Sequence, residues 1–175
     1  MQSLTEEQCL DWVRSRGHRF DGEPGFYHLQ PSDYRTIRFD IPSDAGRRVA
    51  LARLLWEALG ASQPEILLWV TGWSIWPAGE HMPLAASLRS DLGEGRPLAT
   101  APGHIFRIGE DDDAISLLTV ACLFLWDCYL LAPSGELALF LSHDEFAVVH
   151  ARNPDASIGL ERRLDIFGLP VRIDS

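Results

Sequence analysis

The sequence contains no lysine, because all 15 of its basic residues are arginine. Without lysine the chain cannot form a Schiff base and cannot use a lysine as a general base. It also cannot contain the phosphate-binding loop motif, which requires a lysine before its final Ser or Thr. The exclusive use of arginine, with abundant Ala, Gly and Pro, is typical of proteins from GC-rich bacterial genomes. We therefore expect a bacterial protein.

Cysteine is also scarce, and the three copies are Cys9, Cys122 and Cys128. Their odd number and wide spacing indicate neither a disulfide framework nor a zinc site. Cys122 and Cys128 lie in apolar runs, which is typical of buried, reduced thiols. The start of the chain, MQSLTEEQ, lacks the basic and apolar regions of a signal peptide. These features predict a cytoplasmic protein, and no motif predicts a cofactor.

The longest apolar stretch, residues 114–132, has the length of a membrane-spanning helix. It contains Asp127, follows three acidic residues and has no flanking basic cluster, so a buried helix that leads into a buried strand is the better interpretation. The formal net charge of −10 repels phosphate backbones and anionic lipids. We expect no nucleic-acid or membrane partner, whereas a protein partner or self-association is compatible with this charge.

Length and pattern predict an α+β fold in which one domain covers residues 1–175. Capping signals at Ser3 or Thr5, at Ser43 or Asp44, and at Pro83 begin helices that end in or near glycine-containing turns. Three to five helices are expected to pack on a mixed, largely antiparallel sheet. The helices are predicted near 5–15, 45–59, 83–92, 114–123 and 158–167, and the strands near 36–41, 65–71, 104–108, 124–132, 137–143, 146–151 and 169–173.

The segment from Phe124 to Val149 places charged side chains in an otherwise apolar hairpin. Asp127 lies inside the first arm, about 124–132, while His143, Asp144 and Glu145 close the second arm, about 137–143. A buried carboxylate needs hydrogen-bond donors or a raised pKa. Asp127 is therefore either a structural acid that neighbouring donors satisfy or, with the other three residues, a candidate for acid/base catalysis.

The turn between the two arms decides which residues face each other. A loop of two or four residues within Pro133–Glu136 sets Asp127 opposite Ser142, whereas a three-residue loop sets Asp127 opposite His143. Ser134-Gly135 is a usable two-residue loop, which favours the first register. We expect that register to keep Asp127 apart from His143 and to indicate a structural role.

Neither acidic cluster has the pattern of a metal site. Adjacent residues of a strand point to opposite faces, so His143-Asp144-Glu145 cannot converge on one ion unless the strand is bulged. The Glu110–Asp113 run lacks the alternate-position spacing of a calcium loop and instead suits the N-terminus of a helix. The sequence therefore predicts no bound metal.

Two tryptophans, Trp73 and Trp76, lie in a predicted loop after the buried strand at 65–71. An exposed tryptophan in a loop can anchor a partner. Alternatively, both rings cover the edge of the sheet, since apolar residues in loops usually pack inward. Trp73 and Trp76 are therefore candidate binding residues.

Three hypotheses about function follow from these features. The first is a non-enzymatic module that binds a basic protein, in the manner of immunity proteins or other antagonists. The second is a small hydrolase that uses Asp127 and His143 in acid/base catalysis. The third is a structural subunit of a homo-oligomer, paired through the strand at 37–41 or through the C-terminal strand.

Overall fold

An eight-stranded sheet forms the centre of the computed structural model, which describes residues 1–22, 28–29, 35–59, 63–73 and 81–174. The order of strands across it is β1-β6-β5-β7-β8-β9-β4-β10, and β2 and β3 form a separate two-stranded ribbon. In chain order the elements are β1 (Gln2–Leu4), α1 (Glu6–Ser15), β2 (Phe20–Asp21), β3 (His28–Leu29), β4 (Arg35–Asp40), α2 (Ala45–Leu59), β5 (Glu65–Gly72), α3 (His81–Asp91), β6 (Gly103–Arg107), α4 (Asp111–Leu123), β7 (Asp127–Leu131), β8 (Leu137–Leu141), β9 (Phe146–Ala151), α5 (Pro154–Ile166) and β10 (Arg172–Asp174).

The predicted α+β class, with helices packed on a largely antiparallel sheet, is confirmed. Every pairing between the described strands is antiparallel, so the helices do not supply parallel crossovers among them. The strand predicted at 36–41 is β4, which lies between β9 and β10. Strand β9 pairs along all six residues of β4, and β10 pairs with Thr36–Arg38 on the other edge, which leaves little of β4 for pairing with a second copy.

The sheet separates two apolar clusters, and alternation along its strands sends neighbouring residues to opposite clusters. In β5, Leu68 and Val70 face the larger cluster while Leu67 and Trp69 face the smaller one. Buried residues of helices α2 to α5 complete the larger cluster. Helix α1 and Leu29 of the ribbon complete the smaller one. Strand β5 is therefore buried on both faces, as its continuous apolar sequence predicts.

The apolar stretch at 114–132 is divided between α4 and β7 by a short irregular segment. Leu125 has a positive φ of 52°, and the N–H of Trp126 donates to the carbonyl of Ala121 at 3.0 Å, which ends the helix. No helix among the described residues has the length and apolar character needed to cross a bilayer. The stretch is a buried helix followed by a buried strand, as the sequence predicts.

Candidate functional site

The hairpin of β7 and β8 has the register that the sequence favours. Cys128 pairs with Leu141 and Tyr129 pairs with Phe140. The N–H of Ala132 donates to the carbonyl of Leu137 at 3.2 Å, which closes a four-residue loop at 133–136. Gly135 has a positive φ of 69°, which glycine adopts with little strain. The predicted two- or four-residue class of loop is confirmed.

Asp127 nevertheless meets His143, so the expectation that this register separates them is wrong. Oδ1 of Asp127 accepts the backbone N–H of His143 at 2.8 Å, and Oδ2 lies 2.7 Å from Nδ1 of the same residue. Strand β8 ends at Leu141, and residues 142–145 form a tight turn into β9. Because the chain has left the strand, alternation no longer directs the His143 side chain away from Asp127.

Local hydrogen bonds close this turn, which we call the His143 turn (residues 142–145). The N–H of Ser142 donates to the carbonyl of Phe146 at 2.9 Å, and the N–H of Glu145 donates to the carbonyl of Ser142 at 3.2 Å. The Ser142 hydroxyl accepts the N–H of Asp144 at 3.2 Å. Glu145 has a positive φ of 63°, an uncommon conformation for a residue with a side chain. The turn is thus held in one strained shape.

Arg48 holds the turn from the face of the sheet that α2 to α5 cover. Its side chain is only 11% exposed, and its Nε donates to the carbonyl of Pro42 at 2.6 Å. Its terminal nitrogens donate to the carbonyl of Leu123 at 3.1 Å and to Oε1 of Glu145 at 3.1 Å. The backbone N–H of Ile41 donates to the carbonyl of Glu145 at 2.7 Å. One guanidinium therefore joins the start of α2, the end of α4 and the turn.

Asp127 is positioned by its neighbours on both sides. Trp126, the preceding residue, is fully buried. The backbone carbonyl of Asp127 accepts a hydrogen bond from the Thr71 hydroxyl at 3.2 Å. The carboxylate packs closely over Gly72, where an added Cβ would lie 2.8 Å from Oδ2. The absence of a side chain at Gly72 leaves the space that the carboxylate occupies.

His143 lies between two carboxylates. Its side chain is 40% exposed, and Nε2 is 3.5 Å from Oδ1 of Asp144, on the side opposite Asp127. The hydrogen bond to Asp127 raises the pKa of His143, and the charge of Asp144 adds to this effect. The imidazolium form therefore persists to higher pH than in a free histidine, and in that form the ring makes charge-assisted contacts to both acids.

Two nucleophilic side chains beside this pair are shielded from solvent. Ser142 is buried and its hydroxyl already accepts the N–H of Asp144. Cys128 is buried too, and burial raises the pKa of its thiol well above the usual value, which disfavours the reactive thiolate. The geometry of the described residues thus suits positioning of the turn better than nucleophilic catalysis.

Replacing His143 by Gln is expected to reduce stability most at low pH. Because the pKa of His143 is raised in the folded state, its contribution is complete below its unfolded pKa of about 6.5. That contribution is lost as the pH rises through the folded-state pKa. Urea unfolding at several pH values between about 5.5 and 8.5 should show the difference between wild type and variant shrinking with pH.

His150→Gln is the matched control, because burial lowers the pKa of His150 and reverses the sign. Its stabilising contribution should increase as the pH rises from below its folded-state pKa. A difference between wild type and His143→Gln that is constant over this pH range would contradict the proposed protonated pair.

All four predicted catalytic residues lie at this one end of the sheet. Asp127 and His143 are in direct contact, whereas Asp144 and Glu145 point outward with side chains 71% and 57% exposed. Among the described residues, no group of three potential ligands is placed to hold a metal ion. The arrangement is an acidic turn with a histidine at its centre.

The predicted binding residues, Trp73 and Trp76, are not part of this turn. Trp73 is partly buried and packs against the larger apolar cluster. Trp76 lies outside the described residues. An inward-facing Trp73 leaves less of its ring for a partner, so the His143 turn offers the better-defined contact surface.

Sequence reasoning missed two residues of the site, Arg48 and Gly72. A signal for Arg48 was present, since position 48 shares the helical stripe of the buried residues Leu51, Ala52 and Leu55. A charged residue on that stripe predicts a buried, hydrogen-bonded side chain. No comparable signal marks Gly72, because its role depends on the position of Asp127 in the neighbouring strand.

When the chain was compared with protein-family models, curated proteins and solved structures, none of the three comparisons found a match.

Proposed function

We propose that the chain is a non-enzymatic binding module of the bacterial cytoplasm that contacts a basic protein through the His143 turn. The observation that carries this proposal is the combination of rigid support and exposure. Asp127 and Arg48 hold the turn from two sides, while Asp144 and Glu145 keep most of their side-chain surface open to solvent. The hydrogen bonds of Asp127 and Arg48 thus stabilise a surface turn in which Glu145 has a strained backbone conformation.

A turn held in this way is already ordered before it meets a partner, so less conformational entropy is lost on binding. The exposed carboxylates of Asp144 and Glu145 favour a partner with a cationic surface. The net charge of −10 acts in the same direction at longer range and speeds association with a basic protein. It disfavours nucleic acid for the same reason.

The two other hypotheses have less support. Acid/base catalysis by Asp127 and His143 gains from their 2.7 Å contact, but Asp144 lies close to Nε2, where a general base would accept a proton. The strand edges left for self-association lie mostly at the two ends of the sheet. These are the short strands β1 and β10, each of three residues, which give a small edge for pairing.

The proposal is tested by removing charge from the turn without changing its size. The Asp144→Asn/Glu145→Gln variant is immobilised beside wild type and exposed to a lysate of the source cells at low salt. The matched control is Glu7→Gln/Asp11→Asn, which removes two charges from exposed positions of α1. We expect wild type and the control to retain a basic protein that the turn variant retains at least about tenfold less.

Purified partner and direct titration then give the affinity of each variant, and raising the ionic strength should weaken the complex. Urea unfolding of both double variants confirms that they are folded. Equal retention of the same proteins by wild type, turn variant and control would contradict a binding role for the turn.

A further inference from the structure

A groove of about 490 Å³ lies between α3 and the loop at 93–99, on the face of the sheet that α2 to α5 cover. This volume falls in the range of small-molecule sites, which are mostly apolar with a few placed polar groups. Trp73, Met82 and Leu98 supply apolar walls, and Ala86 leaves space between them. The groove is separate from the His143 turn, whose residues do not line it.

Arg89 also lines this groove, although its side chain is almost entirely buried at 2% exposure. Nε donates to Nε2 of His104 at 2.9 Å, and the terminal nitrogens donate to the carbonyls of Arg96 at 2.8 Å and Ala101 at 2.7 Å. Burial lowers the pKa of His104 to about 3, so this imidazole is a neutral acceptor at physiological pH. All three acceptors are therefore uncharged.

The nearest carboxylate is already engaged by another cation. Glu94 accepts hydrogen bonds from Arg96 at Nε and at a terminal nitrogen, the shortest at 2.6 Å. That contact holds the pKa of Glu94 at about 2. The groove thus has two guanidinium groups and one carboxylate, a local positive charge in a protein whose net charge is −10. A buried guanidinium that touches only neutral acceptors is costly.

Arg89 has donors left for an anion. A guanidinium carries five N–H groups, and three of those on Arg89 have the acceptors named above. In the part of the chain that the structure describes, one N–H on each terminal nitrogen has no acceptor. Two N–H groups on neighbouring nitrogens match the two oxygens of a carboxylate.

We propose that this groove binds a small monocarboxylate with an apolar body. The carboxylate accepts from Arg89 and adds a direct counter-charge to the more distant effect of Glu94, which is engaged by Arg96. The hydrocarbon part lies against Trp73, Met82 and Leu98, and its burial contributes most of the affinity. This site goes beyond the protein-binding role proposed above and does not depend on it.

Octanoate is a suitable probe, titrated into the whole chain by calorimetry. We expect one site per chain and affinity for octanoate at least about tenfold above that for octanol, which has the same chain length and no charge. Inorganic phosphate, which has charge without an apolar body, should not compete. Because Arg89 also holds the loop at 93–101, the deciding variant is Ala86→Trp, which fills the groove from an exposed position.

Ala50→Trp is the matched control, since Ala50 is also exposed and lines a different groove, between α2 and α5. Octanoate binding should fall at least about tenfold in Ala86→Trp and remain unchanged in Ala50→Trp, with both variants melting as cooperatively as wild type. The proposal would be overturned by no octanoate binding at millimolar concentration, by equal affinity for octanol, or by unchanged binding in Ala86→Trp. Competition by phosphate would reduce the site to a general anion site and would also overturn it.

Discussion

Replacing Arg48 by Met is expected to lower the free energy of unfolding by about 2–5 kcal/mol, because two backbone carbonyls lose a donor at about 1–3 kcal/mol each. Met keeps much of the aliphatic stem but removes every donor. The carbonyls of Pro42 and Leu123 then lose their side-chain donor, and Glu145 loses the cation that holds its side chain. Each polar group left buried without a partner costs about 1–3 kcal/mol.

The ion pair itself contributes only a small part of that loss. Glu145 is largely exposed, and exposed ion pairs are worth about 0–1 kcal/mol. The larger part comes from the two bonds to carbonyls at the buried end of the guanidinium. Glu145→Gln should therefore cost much less than Arg48→Met, although the two changes break the same ion pair.

Urea unfolding followed by circular dichroism measures the effect. Arg53→Met is the matched control, because Arg53 lies on the exposed side of the same helix and should change stability by less than about 0.5 kcal/mol. Loss of less than about 1 kcal/mol in Arg48→Met would mean that the guanidinium does not hold the turn as described.

The sequence predicted those parts of the fold that depend on local periodicity. Strand β9 has the predicted bounds, Phe146–Ala151, and α1 begins after Thr5, whose side chain caps it in a box with Gln8. The β7–β8 register also follows from local chemistry, since Gly135 supports the tight loop. Strand β1, by contrast, is only three residues long, and its pairing with β6 is what makes it a strand.

The sequence predicted which residues form the site but not the contact between Asp127 and His143. Asp127, His143, Asp144 and Glu145 were recognised because charged residues in apolar surroundings stand out in any sequence. Their contact was missed because it depends on a turn in which Glu145 adopts a positive φ, and glutamate gives no signal for that conformation. The strain is supported by groups distant in sequence, such as Arg48 and the N–H of Ile41.

Replacing Gly72 by Ala is expected to destabilise the protein by about 3 kcal/mol, which combines overpacking with loss of charge-assisted hydrogen bonds. The three atoms nearest the added Cβ all belong to the Asp127 side chain, the closest being Oδ2 at 2.8 Å. The carboxylate has to move, and its bonds to the N–H and Nδ1 of His143 then lengthen or break. The same substitution at Gly95, where an added Cβ meets nothing within 4 Å, should change stability by less than about 1 kcal/mol.

The cause of that loss can be isolated with a double-mutant cycle. In an Asp127→Ala background only a Cβ contact at 3.2 Å remains, so Gly72→Ala should cost less than about 1 kcal/mol there. The interaction energy between the two substitutions should therefore reach about 2 kcal/mol, well above the additivity error for independent sites. Gly72→Ala should also remove most of the pH-dependent stability that His143 contributes, because that dependence requires Asp127 beside the imidazole. If Gly72→Ala lowers the free energy of unfolding equally in both backgrounds, the close approach of strand β5 does not position the Asp127–His143 pair. The rigid support inferred for the His143 turn then has to come from Arg48 alone.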